Sequence, residues 1–222
     1  MSLRFAEYKP GVSSRLSREV VSHYRNSEAI ILVNYGNGEV NVRGYDLVLN
    51  GPEGVSLAVD KPRALTHLLA EQDGSYAVPK VIPGCVLVKD RYHSGGKGHL
   101  LVDGEQKYVE QFVPCLREWR VHVVGDHTCA RLKTGGTGQI RNRRHGWDFT
   151  YSENVPQPVR DAAKAAIRLL SLDFGAVDIG ERRGEKPVIY EVNTAPRLQV
   201  DAVLDWYKEN FIRVIDRRLR GR

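Results

Sequence analysis

Three oxygen-bearing side chains in the last quarter of the sequence, Asp178, Glu191 and Asn193, have the spacing to converge on one point. They lie in DFGAVDIGERRGEKPVIYEVN, two strand-like runs joined around Gly184-Glu185, a pair suited to a two-residue turn with glycine first. Such a turn sets Asp178 directly opposite Glu191, and the alternation of side chains puts Asn193 on the face of Glu191. Val177, Ile179, Tyr190 and Val192 are then expected to face the other way and build core. Two carboxylates opposed on neighbouring strands repel unless a cation lies between them or one is protonated. The chemistry predicted is a hard cation, magnesium first, held by one or two carboxylates with phosphate oxygens and water. A polar, solvent-facing hairpin is the alternative that the pattern alone leaves open.

A second hairpin, EWRVHVVGDHTCARLK, has a credible two-residue turn at Gly125-Asp126. That turn pairs Arg120 with Arg131 and Glu118 with Lys133, all four on one face, while Trp119, Val121, Val123, Ala130 and Leu132 fill the other. Opposed arginines call for an anion or carboxylate between them, and a polyphosphate or an acyl phosphate would serve. A solvated charged face balanced by Glu118 is the competing reading. Upstream, VLVKDRYHSGGKGH places Lys89 on a strand before Gly95, Gly96 and Gly98, whose missing Cβ atoms let backbone N–H groups approach phosphate, with Lys97 adding charge. It is not a Walker A loop, because position 91 is Arg and Lys97 is followed by Gly98. Alone, this run is equally a structural turn.

The run from Asp173 to Leu198 resembles the C-terminal hairpin of the ATP-grasp superfamily, in which an Asp on one strand and a Glu-x-Asn on the next hold the magnesium bound to ATP. Glu191-Val192-Asn193-Thr194-Ala195-Pro196 resembles the matching strand of D-Ala-D-Ala ligase and the ribosomal-protein glutamate ligases. The resemblance implies an α+β ATP-grasp fold, two α+β subdomains clasping ATP between antiparallel sheets, with a shortened N-terminal βα region. It implies ATP and Mg2+, or Mn2+ in its place, as cofactors, with Asp178, Glu191 and Asn193 as metal ligands. Lys89 becomes the phosphate lysine beneath a flap of Gly95, Gly96, Lys97 and Gly98. Glu110, Gln111, Phe112 and Val113 become the adenine hinge, Glu118 the ribose ligand, and Lys61 and Lys133 further contacts to the nucleotide. Arg141, with Arg120 and Arg131, is implied to stabilise the transferred phosphoryl group; Asn142 and Arg197 face the substrates. The implied reaction joins a carboxylate to an amine, on a small molecule, peptide or protein terminus, through an acyl phosphate, releasing ADP and phosphate. A phosphotransferase on the same scaffold and a non-catalytic nucleotide- or nucleic-acid-binding module are the alternatives, the last prompted by the basic end Arg217 to Arg222.

The elements that must position these groups follow from periodicity. A helix is predicted from Ser14 to Tyr24 and a strand from Ala29 to Asn34, one short βα layer before the main body. Asp60 caps a helix whose first turn holds Lys61 and Pro62. From Val86 to Lys133 strand follows strand, predicting one antiparallel sheet. Thr134 to Phe149 reads as a mobile, Gly/Arg-rich substrate-side loop, Pro156 to Leu170 as a helix, and Val203, Trp206, Tyr207, Phe211 and Ile215 as one face of a final helix. The expected divisions are 1–59 for the N-terminal region, 60–113 for the first subdomain and 114–222 for the second. With 222 residues, 41% of them hydrophobic, the chain is long enough to bury a core. No run is long and apolar enough to span a bilayer and no hydrophobic leader follows Met1, so a cytoplasmic protein without a membrane partner is expected. The net charge of +6 favours anionic ligands, and nucleotide phosphates satisfy it as readily as nucleic acid. Three widely spaced cysteines form no CxxC pair, and no Ser-His-Asp set or HExxH helix competes for the chemistry.

Overall fold

A five-stranded antiparallel sheet carries the charged residues singled out above, in the order β10-β9-β6-β7-β8. Its strands are β6 (Arg117–Val124), β7 (His127–Thr134), β8 (Asp148–Tyr151), β9 (Phe174–Glu181) and β10 (Val188–Asn193). The computed structural model describes residues 3–7, 14–36, 40–79, 86–90, 107–136, 141–198 and 200–221. Alternation gives the sheet one apolar face, built from Trp119, Val121, Val123, Ala130, Val177, Ile179 and Val192. Helix α4 (Gln157–Leu169) covers that face with Val159, Ala162, Ala163, Ala166 and Ile167. Its small side chains let the helix lie close: a Cβ at Gly175 would meet Ile167 Cδ1 at 2.8 Å.

The opposite face is split. Val124, Cys129 and Phe174 lie beneath α5 (Asp201–Arg220), where Tyr207, Phe211 and Ile215 are buried, while the other half presents Glu118, Arg120, Arg131, Lys133 and Asp178. The charged half is the candidate site.

Two further sheets differ from expectation. The N-terminal region is a parallel sheet, β1 (Leu3–Glu7), β2 (Ile31–Tyr35) and β3 (Leu47–Leu49), with α1 (Ser14–His23) and α2 (Pro52–Val59), so the single βα layer is too simple. Strands of five and three residues are too short for periodicity to separate from loop. This sheet shares a core with α5, since Leu3, Leu16, Val33 and Tyr35 cluster with Phe174, Tyr207 and Phe211. The one antiparallel sheet predicted from Val86 to Lys133 is in fact two. Among the described residues strands β4 (Val86–Asp90) and β5 (Lys107–Gln111) pair only with each other, and β6 and β7 join the five-stranded sheet. Between them Pro114, which has no N–H to give a ladder, sits in the irregular segment Phe112 to Leu116. Helix α3 (Lys61–Ala70) begins as predicted, with the Asp60 carboxylate accepting from the Arg63 N–H at 3.4 Å. The predicted loop from Thr134 to Phe149 is partly ordered structure: a 3-10 turn at Arg143–His145 is followed by β8, which pairs with β7. Among the described residues no helix is long and apolar enough to cross a membrane.

His122 lies on the split face where it passes beneath α5. The Tyr207 hydroxyl donates to Gly175 O at 3.2 Å and lies 3.1 Å from His122 Nδ1. Burial, reinforced by Arg120 and Arg131, pulls the imidazole from its ordinary 6.5 down to about 3. Between those values the unfolded chain binds a proton that the folded chain refuses, so stability falls as pH drops through that window. His122→Gln is expected to remove about 3 kcal/mol of the stability lost between pH 6.5 and 4, measured as urea midpoints across pH. An unchanged acid limb in the variant would show that His122 does not set it.

Candidate functional site

The β9–β10 hairpin brings Glu191 opposite Asp178 as predicted, but by a different route. The chain turns at Arg183-Gly184, with Gly184 in the left-handed region at φ +68°, and Val188 and Ile189 pair with Gly180 and Ile179. One extra residue, Tyr190, then bulges out before Glu191 meets Asp178. The bulge corrects a second expectation: Tyr190 does not point into the core. Its ring lies across Gly180, where an added Cβ would stand 2.3 Å from the Tyr190 Oη, and its hydroxyl donates to Val113 O at 2.8 Å.

The register makes a continuous rung across the sheet, Glu191–Asp178–Arg120–Arg131–Tyr151. A neighbouring line carries Gly180, Glu118, Lys133 and Phe149. Arg120 grips Asp178 with two bonds of 2.8 Å, Nε to Oδ1 and Nη2 to Oδ2, and Lys133 Nζ adds a third to Oδ2 at 3.1 Å. Lys133 is also hydrogen-bonded to Glu118, whose other oxygen lies 3.8 Å from Arg141 Nε. Lys61, buried at the start of α3, donates to Val192 O at 2.7 Å and pairs with Glu191 at 3.1 Å. The site therefore supplies its own counterions. Repulsion between Asp178 and Glu191 is relieved by Arg120, Lys133 and Lys61, and the crowding of Arg120 against Arg131 by Asp178, so neither opposition by itself demands a metal or an anion.

Burial alone would raise the Asp178 carboxyl, but Arg120 and Lys133 outweigh it and hold that group below the usual carboxylate range. Glu118 moves the opposite way, because burial, with Asp178 close by, prevails over Lys133. For Arg120 burial opposes the charge, and Asp178 more than restores it. Phe149, unmarked by sequence reasoning, forms the floor. Arg120 stacks 4.7 Å above its ring, with Arg131 at 5.7 Å and Lys133 at 5.8 Å. The alternation of aromatic and polar residues in Trp147-Asp148-Phe149-Thr150-Tyr151 is the strand signal that could have found it.

The remaining predicted residues are spread around this core. Glu110 is buried on β5, and Gln111, Phe112 and Val113 lead from it into the irregular segment, with Phe112 partly exposed. Lys89 lies on β4, its backbone paired with Tyr108, and its side chain is outside the described residues, as are Gly95, Gly96, Lys97 and Gly98. Arg141 donates to Cys115 O at 3.3 Å and stacks on Trp147 at 5.0 Å. Asn142 is engaged locally, accepting from the His145 N–H at 3.2 Å, and Arg197 is exposed. The basic end is largely neutralised: Arg217 pairs with Asp126, Arg218 with Asp173 and Arg220 with Asp216.

Among the described residues no three His, Cys, Asp or Glu side chains form a ready metal cluster. Asp178, Glu191 and Asn193 are nevertheless hard oxygen donors on adjoining strands. The donor set fits a divalent cation of the magnesium type.

No family model matches the sequence, and no curated protein matches it. Solved structures do. A D-alanine–D-alanine ligase from Bacillus anthracis aligns over 100% of this chain and 98% of its own, at 14% identity and a TM-score of 0.67. The ATP-grasp ligase PsnB, complexed with a minimal precursor, aligns over 90% and 92% at 13% identity and a TM-score of 0.62. The macrocyclase MdnC, bound with precursor peptide MdnA from Microcystis aeruginosa, aligns over 89% and 93% at 10% identity and a TM-score of 0.61.

The Asp178 clamp can be tested without any ligand. Asp178→Asn leaves Arg120 and Lys133 beside a neutral amide and is expected to cost about 3–5 kcal/mol. Glu191→Gln leaves the buried Lys61 its bond to Val192 O and is expected to cost less, about 1–2 kcal/mol. Both are read from denaturant unfolding in the absence of nucleotide and metal, and equal losses would discredit the clamp.

Proposed function

We propose that this chain, which has the ATP-grasp fold, is an ATP- and magnesium-dependent ligase joining a carboxylate to an amine through an acyl phosphate. One observation carries the reading. On the open half of the sheet, Lys61, Arg120, Arg131, Lys133 and Arg141 gather on one face with Glu118, Asp178 and Glu191. Five cationic side chains on one face suit a triphosphate, and a bare divalent cation would add to their charge. The metal is therefore expected to arrive with the nucleotide. Solved relatives in fold support the reading: the Bacillus anthracis ligase has been seen with ATP, and PsnB with magnesium and ADP.

In this reading residues 60–113 and 114–222 are the two subdomains that clasp the nucleotide, with 1–59 packed behind them. Glu110 and the backbone near Val113 hold the base, with Gln111 and Phe112 beside it, and Glu118 takes the ribose. Lys61, Lys89 and Lys133 and the run from Gly95 to Gly98 attend the phosphates. Asp178, Glu191 and Asn193 would hold Mg2+, or Mn2+, which when bound supplies charge neutralisation at the phosphate oxygens. Arg120, Arg131 and Arg141 stabilise charge on the transferred group by position alone, without proton transfer. A substrate carboxylate oxygen attacks the γ-phosphorus as the bond to the β-phosphate oxygen breaks, releasing ADP. An amine then attacks the acyl carbon, phosphate departs with the bonding pair, and the nitrogen loses its proton. Asn142 and Arg197 are the candidates for substrate contact.

Incubation with Mg-ATP and pooled carboxylates and amines is expected to give ADP, phosphate and an amide in equal amounts, followed by mass and phosphate release. Phosphorylated acceptor instead would mark a phosphotransferase, and the absence of turnover would remove the enzyme reading. Glu191→Gln is expected to lower turnover by at least about a hundredfold while the chain still unfolds in one cooperative transition. Full activity in that variant would sink the assignment of the hairpin.

A further inference from the structure

The segment Phe112 to Leu116 belongs to neither sheet, yet it is held from the phosphate side of the site at two points. Arg141 donates to Cys115 O at 3.3 Å. Tyr190, set beside Glu191 by the bulge in β10, donates from Oη to Val113 O at 2.8 Å, and the Cys115 thiol adjoins the same hydroxyl. Two local features allow this reach. Without the bulge the alternation set by Glu191 would put Tyr190 on the core face with Val192, and without glycine at position 180 its ring would have no room.

We infer that Tyr190 is a positioning residue that locks the base-holding segment at a fixed distance from the carboxylate hairpin, so that base and triphosphate are accepted together. The inference rests on the ligase reading above for what the two ends hold. Its physical content is narrower: one hydroxyl spans the two halves of the nucleotide site, and its removal should affect a ligand that occupies both halves and spare a ligand that occupies one.

Tyr190→Phe keeps the ring over Gly180 and deletes only the hydroxyl. Calorimetric titration of the full chain with ATP and with inorganic tripolyphosphate, both with magnesium, separates the possibilities. The variant is expected to bind ATP about five- to tenfold more weakly, the usual loss for one buried hydrogen bond, with tripolyphosphate affinity unchanged. Equal weakening of both ligands, or of neither, overturns the positioning role while leaving the nucleotide site standing. Wild-type protein that binds tripolyphosphate as tightly as ATP instead overturns the base-holding assignment itself, and the role of Tyr190 with it. Gly180→Ala approaches from the other strand: its Cβ must displace the hydroxyl from Val113 O, and the same ATP-selective loss is expected. If Tyr190→Phe fails to fold, Gly180→Ala decides between the same outcomes.

Discussion

A carboxylate on the middle of a buried strand cannot stand alone, and the arrangement of this molecule follows from how Asp178 is compensated. It is 5% exposed, and β9 is the second strand of the sheet, flanked on both sides. Its charge survives only because β6 supplies Arg120 at the same rung and β7 supplies Lys133 one strand further. An uncompensated charge there would be strongly destabilising. The pairing order β9-β6-β7 is thus an electrostatic requirement as well as a hydrogen-bonded one. A register slip of one residue would face the cations into the α4 core and leave Asp178 without its partners.

That single anchor explains why the same sheet face can be core at one end and site at the other. Toward Val124 and Phe174, side chains are apolar and α5 closes over them with Tyr207 and Phe211. Toward Glu118 and Gly180 the strands carry charge, and Phe149 supports the cations from beside β7 rather than covering them. His122 sits at the border, buried and kept neutral by its surroundings, where a protonated imidazole would add a third positive group next to Arg120 and Arg131. The N-terminal sheet packs against α5 and reaches the site loop directly, through Tyr35 donating to Pro196 O at 2.5 Å and Thr194 donating to Gly36 O at 2.7 Å. The segment after Asn193 is thereby held by two sheets at once.

The concentration of cationic side chains is what distinguishes this face from an isolated ion pair. Each carboxylate is already matched by a cation, and Arg131 and Arg141 stack on Phe149 and Trp147 at the margins of the network. Stacking, with their bonds to Phe149 O and Cys115 O, keeps these guanidinium groups ordered. A polyanion can then enter without unpaired carboxylates having to be desolvated first, because the cations that meet it are already in place. Lys61 and Lys133 stand at opposite edges of this basin, one from α3 and the other from β7.

Much of this was written in local pattern. The opposition of Arg120 and Arg131 follows from alternation and the Gly125-Asp126 turn, and the long helices follow from apolar spacing, because both depend on near neighbours along the chain. Asp178 and Glu191 were matched correctly although the turn was misplaced, since the bulge at Tyr190 restored the register that the longer loop had shifted. What only the tertiary structure decided is the company each charge keeps. Lys61 meets Glu191, Lys133 meets Asp178, Phe149 underlies three cations, and Tyr190 crosses to Val113, over separations from 16 to 130 residues along the chain. Periodicity reports which way a side chain faces within its own element. Which strand lies beside it is settled by packing and by the need to neutralise buried charge, and those act only once the chain has closed on itself.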